Sequence, residues 1–299
     1  MEDIGFKPIQ IEDKAVFNRF LRQDPPQISE LTFTNLFIWR HRHRPCWLQR
    51  GDCLLIIFRP REEAPFGLPP IGPGDKKKAL DHLFQELETL TPETRVCRVD
   101  KAFVEEHVNP DQYGVNLDRD NSDYVYKTRD LINLTGRKYH RKKNHLNRFV
   151  KNYTFEYHPL DKNLVSSFLD MQESWCQMRE CVEQPDLLSE DFAVHEALTR
   201  FEDLDYRGGA IVMHSKVEAY ALGETLNEET AVIHIEKANP EIPGLYAAIN
   251  QCFCSNEWAD MTYINREQDL GSEGLRKAKQ SYYPHHMVDK YTLTLLGRR

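Results

Sequence analysis

The stretch GGAIVMHSKVEAYALGETLNEETAVIHIEKANPEIPGLYAAIN, residues 208–250, decides how this chain is built. Three apolar runs, GGAIVM (208–213), VEAYALGETL (217–226) and TAVIHIEKA (230–238), are joined by short polar turns, the pattern of an antiparallel meander. The apolar spacing of GLYAAINQCFCSNEW (244–258) then predicts a helix, MTYIN (261–265) a strand, and the residues after Gly271 a further helix. KYTLTLL (290–296) reads as a terminal strand completing the same domain. Upstream, Leu160, Leu164, Phe168, Met171, Trp175 and Met178 fall on one helical stripe, and Ala197, Leu198 and Phe201 mark a second helix after the Pro/Asp break at 185–186. The order is two helices, three strands, helix, strand, helix, strand.

The preceding part has a different texture. Leu80, Leu83, Phe84, Leu87 and Leu90 recur at helical spacing between the strand-like runs CLLIIF (53–58) and TRVCRV (94–99), an α+β pattern. PREEAPFGLPPIGPGDKK (60–77) is rich in Pro and Gly and predicts turn or edge strand in a surface loop, because proline cannot donate to a central ladder. After NLDRDNSDY (116–124) and a short strand-like YVYKT, the composition becomes abruptly basic. The junction is placed there, giving domains at 1–125 and 126–299.

The full chain of 299 residues, 40% hydrophobic and 29% charged, has enough apolar side chains for two cores. Its net charge of −8 excludes a surface that coats nucleic acid or anionic lipid throughout, so any such contact is local. No run approaches the roughly 20 apolar residues of a membrane span, and the opening MEDIGFKPIQIEDK lacks a signal-peptide pattern, so a cytoplasmic protein is expected. The seven cysteines are scattered without a CxxC pair, and reduced thiols are expected. HRHR (41–44) and the pair His285 and His286 lack companion ligands, so no metal site is expected.

The element order matches the acetyltransferase-like (GNAT) layout, in which the fourth and fifth strands splay and carrier phosphates rest on the helix after the fourth strand. A phosphate there needs free helix amides and a small residue. Lys237, Asn239, Gly244, Leu245 and Tyr246 occupy that position here. The usual glycine-rich loop is replaced by a segment with two prolines, Pro240 and Pro243, so CoA or acyl-CoA is one donor among others and no tightly bound cofactor is implied.

Three segments together resemble the phosphatidylglycerol lysyltransferase C-terminal family: LTGRKYHRKKNHLNRF (134–149), HIEKANPEIPGLYAAIN (234–250) and, most specifically, YINREQDLGSEGLRKAKQSYYP (263–284). FTNLFIWR (33–40) is similar to the family's amino-terminal half. Such proteins are similar to Fem-type aminoacyltransferases, which pair two GNAT-like domains and draw an aminoacyl group from charged tRNA. The resemblance implies an α+β fold of two tandem GNAT-like domains, each a mixed, mainly antiparallel sheet flanked by helices, and acyl or aminoacyl transfer to an amine or hydroxyl of a small molecule or lipid headgroup.

At residue level, Asn265, Arg266, Glu267 and Asp269 follow a strand and precede a helix on which Leu275, Lys279 and Tyr282 share a face. Asn265, Arg266, Asp269 and Lys279 are read as substrate-binding. Transfer needs a base and a proton donor. Glu236 and Glu267 are the candidate carboxylates, and Tyr282, with Tyr283 as its neighbour, is the candidate acid, since GNAT enzymes place a tyrosine beyond the last helix. Glu224 faces either the cleft or solvent. The basic segment, with Arg137, Arg141 and Lys142 foremost and Leu146, Phe149 and Val150 as anchors, is read as contacting the phosphates of tRNA or of a headgroup across residues 137–151. A module that binds RNA or a phosphorylated ligand without catalysis, and an acetyl-CoA-dependent N-acetyltransferase of a small amine, are the competing functions.

Overall fold

The structure, a computed structural model, describes residues 5–297. In chain order the elements are β1 (Lys7–Pro8), α1 (Lys14–Gln23), α2 (Phe33–Ile38), α3 (Arg40–His43), β2 (Pro45–Arg50), β3 (Cys53–Phe58), β4 (Phe66–Gly67), α4 (Lys76–Leu90), β5 (Arg95–Asp100), α5 (Lys101–His107) and β6 (Tyr113–Leu117). There follow β7 (Asp123–Lys127), α6 (Thr128–Asn133), α7 (His140–Asn152), β8 (Glu156–Pro159), α8 (Val165–Met178), α9 (Pro185–Thr199), β9 (Arg207–Met213), β10 (Lys216–Thr225), β11 (Thr230–Ala238), α10 (Leu245–Glu257), β12 (Tyr263–Asn265), α11 (Glu273–Gln280), β13 (His286–Val288) and β14 (Lys290–Leu295). They form two seven-stranded sheets, ordered β1-β2-β3-β4-β5-β14-β6 and β13-β7-β12-β11-β10-β9-β8. Each is mixed and mainly antiparallel, with parallel pairing at β4 and β5 in the first and at β11 and β12 in the second.

The compact units are not the contiguous halves 1–125 and 126–299. The first comprises the chain up to Asp123 together with Gln268–Gly271 and the residues from Met287 onward; the second comprises Tyr124–Glu267 and Ser272–His286. The terminal strand explains the difference. β14 does not complete the second sheet but pairs antiparallel with both β5 and β6, its Leu293 fully buried in the first core. Periodicity identifies a strand but not its neighbours.

In the first unit, α4 is capped by Asp75, which accepts the Lys78 amide at 3.0 Å. Its buried Leu80, Leu83, Phe84 and Leu87 pack with Leu55, Ile57, Val96 and Val99 of the sheet, whereas Leu90 is exposed. The proline-rich segment after β3 is only partly a surface loop. Residues 66–72 are buried, and Leu54 and Ile71 exchange backbone hydrogen bonds at 2.8 and 3.1 Å. Phe66, Leu68 and Ile71, interleaved with the prolines, draw it into the core, and the two-residue strand Phe66–Gly67 itself holds no proline, so its pairing loses no donor.

β14 also carries a fully buried cation. The Lys290 ammonium lies 2.6 Å from Asp123 and 2.6 Å from Glu30, and the Ser29 hydroxyl is 3.3 Å away. Asp123 in turn accepts the Ser29 amide at 2.9 Å, and Glu30 is 2.7 Å from Arg98. Burial opposes the Lys290 charge, but Asp123 and Glu30 outweigh it and raise its pKa.

In the second unit, β9 and β10 turn through His214 and Ser215, with φ of 50° and 62°, the paired left-handed conformations of a tight hairpin. α9 starts at Pro185 itself, since proline suits the first helical position, where no amide is needed. Neighbouring side chains of β11 contact different helices. Glu236 accepts from Asn250 of α10, and Lys237 pairs with Glu190 of α9, so helices cover both sheet faces. The expectation of reduced cysteines fails at Cys176 and Cys181, which form a disulfide between the end of α8 and the turn that follows.

Replacing Lys290 with Met removes the buried cation that Asp123 and Glu30 share, leaving Glu30 with Arg98. We expect a loss of about 3–5 kcal/mol in unfolding free energy, measured by urea denaturation. A loss well below about 1 kcal/mol would show that the cluster is dispensable.

Candidate active site at the diverging strand ends

β11 and β12 run parallel through Thr230 with Tyr263, Ala231 with Ile264, and Val232 with Asn265, and the pairing then stops. On the other side of β11 the register slips: Leu222 pairs with Ile235 but Gly223 with Ile233, leaving His234 as the extra residue of a bulge. A Cβ at Gly223 would sit 2.4 Å from the Val232 carbonyl, so only glycine lets the backbones meet there.

Beyond the last pair, side chains bridge the two strands. The His234 ring stands between two carboxylates, with Nδ1 2.7 Å from Glu267 and Nε2 2.9 Å from Glu224. The Arg266 guanidinium donates to Glu236 at 2.8 Å, and Asn250 donates to the other Glu236 oxygen at 2.9 Å. Backbone contacts fix the donor end. Arg266 donates its amide to the Tyr124 carbonyl at 2.9 Å, and Tyr124 donates to the Glu267 carbonyl at 3.1 Å. The Asn265 side chain accepts the Glu267 amide at 2.8 Å, where Glu267 holds φ at 56°. A bulky residue in that conformation is uncommon, and here it aims the carboxylate at His234.

Burial would push the His234 ring toward neutrality, but hydrogen bonds to Glu224 and Glu267 outweigh it and hold the imidazole at about 10. It is therefore an imidazolium at neutral pH. Arg266 is opposed by burial yet raised by Glu236. Its guanidinium lies 4.9 Å from the Tyr282 ring centre and 5.8 Å from that of Tyr126. Burial lifts the Tyr282 phenol to about 12 against the pull of Arg266, so it stays protonated at neutral pH.

Lys142, on α7, places its ammonium 4.0 Å from the centre of the Tyr282 ring. Burial, followed by the nearby Arg266, lowers it to about 8, while Glu236 opposes the shift. The Lys279 ammonium donates to the Arg266 carbonyl. The structure thus brings together Glu236, Arg266, Glu267, Lys279, Tyr282 and Lys142 of the predicted set. Asp269 does not join them, because it belongs to the first unit, fully buried 3.3 Å from Arg119 and accepting the Gly271 amide. Arg137 and Arg141 are exposed along the basic segment; Tyr139, Leu146 and Phe149 anchor it, whereas Val150 faces solvent.

The predicted carrier cradle is occupied by protein. Lys237 is paired with Glu190 at 2.6 Å and stacked 3.6 Å from Trp175, and burial lowers its pKa. Asn239 donates to Glu218, Leu245 is buried, and the Tyr246 hydroxyl accepts from Trp175. Gly244, at φ 92°, lets the His145 carbonyl approach, since a Cβ would come within 2.6 Å of that oxygen. The sequence reading missed His234 and left Glu224 undecided. The available signal was His234 and Glu236 two apart in an otherwise apolar strand, hence nominally on one face.

Because the folded pKa of His234 lies above its ordinary 6.5, its contribution to stability is complete below about pH 6.5 and is lost as pH rises through about 10. We expect wild-type unfolding free energy to fall between those limits by more than that of His234→Gln. Equal falls in urea titrations would remove the imidazolium bridge.

The family model for the C-terminal region of phosphatidylglycerol lysyltransferase matches residues 22–294. A conserved protein of unknown function from Bacteroides thetaiotaomicron has the same fold at TM-score 0.91 and 33% identity, over 98% of this chain and 100% of that one. L-PGS from Bacillus licheniformis aligns at TM-score 0.68 and 12% identity over 100% and 95%, and FemX at 0.57 and 10% over 96% of each chain. The fold resembles that of a tandem GNAT protein from the clavulanic acid biosynthesis pathway, at TM-score 0.50 and 9% identity over 98% of this chain and 99% of that one. The chain belongs to the phosphatidylglycerol lysyltransferase C-terminal family.

Proposed function

We propose that the second unit transfers an aminoacyl group from charged tRNA to an amine or hydroxyl acceptor, at the diverging ends of β11 and β12. The supporting observation is the pair of charge bridges across those ends, Glu236 with Arg266 and Glu267 with His234. They occupy the splay that a CoA-type donor uses in the GNAT layout, and the His145 carbonyl crowds the glycine where its phosphates would rest. Both features favour a donor that approaches from outside the sheet, beside the exposed basic residues of α7. A charged-tRNA donor also places this unit in the cytoplasm.

The chemistry follows from the side chains. The acceptor nitrogen or oxygen attacks the ester carbonyl, its proton passes to a carboxylate, and the C–O bond to the terminal ribose breaks as that oxygen is protonated. Both oxygens of Glu236 are engaged by Arg266 and Asn250, so Glu236 positions the guanidinium. Glu267, whose side chain keeps 19% of its exposure, is the better proton acceptor. Tyr282, its ring 4.9 Å from the Arg266 guanidinium, and Lys142, 4.0 Å from that ring, are the candidate proton donors, and the positive field of Arg266 favours the developing oxyanion.

The family's name pairs lysine with phosphatidylglycerol, so these are the first substrates to test. Labelled lysyl-tRNA, then other charged tRNAs, are incubated with the chain and phosphatidylglycerol vesicles or amine acceptors, and label is followed out of the RNA. We expect transfer that falls roughly 10²–10⁴-fold in Glu267→Gln. Saturable acetyl-CoA binding without aminoacyl transfer would replace this reading with the acetyltransferase one; RNA binding without any transfer would leave a binding module.

A further inference from the structure

The turn after α11 is held more firmly than a surface turn requires. The Tyr126 hydroxyl donates to the Lys279 carbonyl at 2.8 Å, and the Tyr139 hydroxyl donates to the Tyr282 carbonyl at 3.2 Å. The next residue, Tyr283, takes φ of 54°, donates its amide to the Gln280 carbonyl at 2.9 Å, and is 46% exposed. Its ring meets that of Tyr139 edge-on at 5.6 Å. A bulky residue held at positive φ on a clamped turn, with its aromatic ring in solvent, is costly to stability and calls for a use.

Cations flank this ring. The Lys138 ammonium lies 5.6 Å from the Tyr283 centre and 4.8 Å from that of Tyr139, and Lys142 stacks on the adjoining Tyr282. Among the described residues the Lys142 ammonium makes no ion pair and no hydrogen bond. The charged and titratable groups around it are Arg266, Glu236, Arg141 and Tyr282. Farther along α7, Arg141, Arg148 and Lys151 are exposed at spacings of seven and three residues, a row about 15 Å long. A row of cations leading to a rigid exposed ring is the arrangement that tracks a nucleic-acid backbone and stacks an unpaired base.

We propose that Tyr283, with Lys138 and Lys142, is the landing site for an unpaired nucleotide at the end of an RNA strand, the base stacking on the Tyr283 ring and the adjoining phosphate lying against the two lysines. This rests on the RNA-donor reading of the second unit and assigns residues to it. A phosphate-bearing lipid would use the same cations but has no need of the ring.

The test measures binding of the full chain to a fluorescently labelled single-stranded RNA, to the same sequence in a duplex, and to phosphatidylglycerol vesicles, at fixed ionic strength. We expect preference for the single strand, a roughly tenfold loss in Tyr283→Ala, and near-full recovery in Tyr283→Phe. Affinity should fall as pH rises through about 8, and Lys142→Met should weaken binding and flatten that dependence. An unchanged Tm in each variant separates these effects from misfolding. Undiminished binding by Tyr283→Ala, equal binding of duplex, or binding of vesicles in place of RNA would overturn the proposal. Because the probe RNA carries no aminoacyl group, its stacking is read independently of transfer, and stacking of that probe together with no transfer from charged tRNA refutes only the transferase reading. Normal transfer by Tyr283→Ala refutes only the landing site.

Discussion

Two parallel strands that part company must be held by something other than their backbones, and this requirement organises the second unit. The ladder between β11 and β12 ends at Val232 and Asn265. Past that point, Arg266 with Glu236 and His234 with Glu267 span the opening. Each pair is largely removed from water, so each charge depends on its partner. The glycine at 223, the bulge at His234 and the left-handed Glu267 are backbone adjustments that let the bridging side chains meet. The same bridging makes the gap polar, which bears on which donor it can accept.

The fold was largely legible in the sequence because most of its elements are amphipathic and close to their neighbours in the chain. The meander at 207–238 and α4 follow directly from alternation and from the 3.6-residue period. β14 was recognised as a strand, but its partners β5 and β6 lie nearly two hundred residues away, and no local pattern encodes that. The buried segment at 66–72 was obscured by prolines, whose usual meaning is a turn; its apolar residues carry more weight than its breakers.

The site was legible in part for a comparable reason. Arg266, Glu267 and Glu236 stand out as polar residues at strand ends. His234 was hidden in an apolar run, and the bulge that turns its ring between Glu224 and Glu267 cannot be read from the period. Lys142 was one of several basic residues in a row. What distinguishes it is half-burial against Tyr282, a tertiary fact. Lys237 and Gly244 had the residue types for holding phosphate, and the protein uses both for its own packing.

The buried Lys290 cluster has a further meaning for how the chain reaches its native state. The first unit begins at the amino-terminal end, yet its sheet lacks the strand between β5 and β6 until β14 has been made. Asp123 and Glu30 likewise wait for their cation. During synthesis, therefore, the unit started first is the one finished last. Until then, β5 and β6 present open edges that either remain unpaired or find temporary partners.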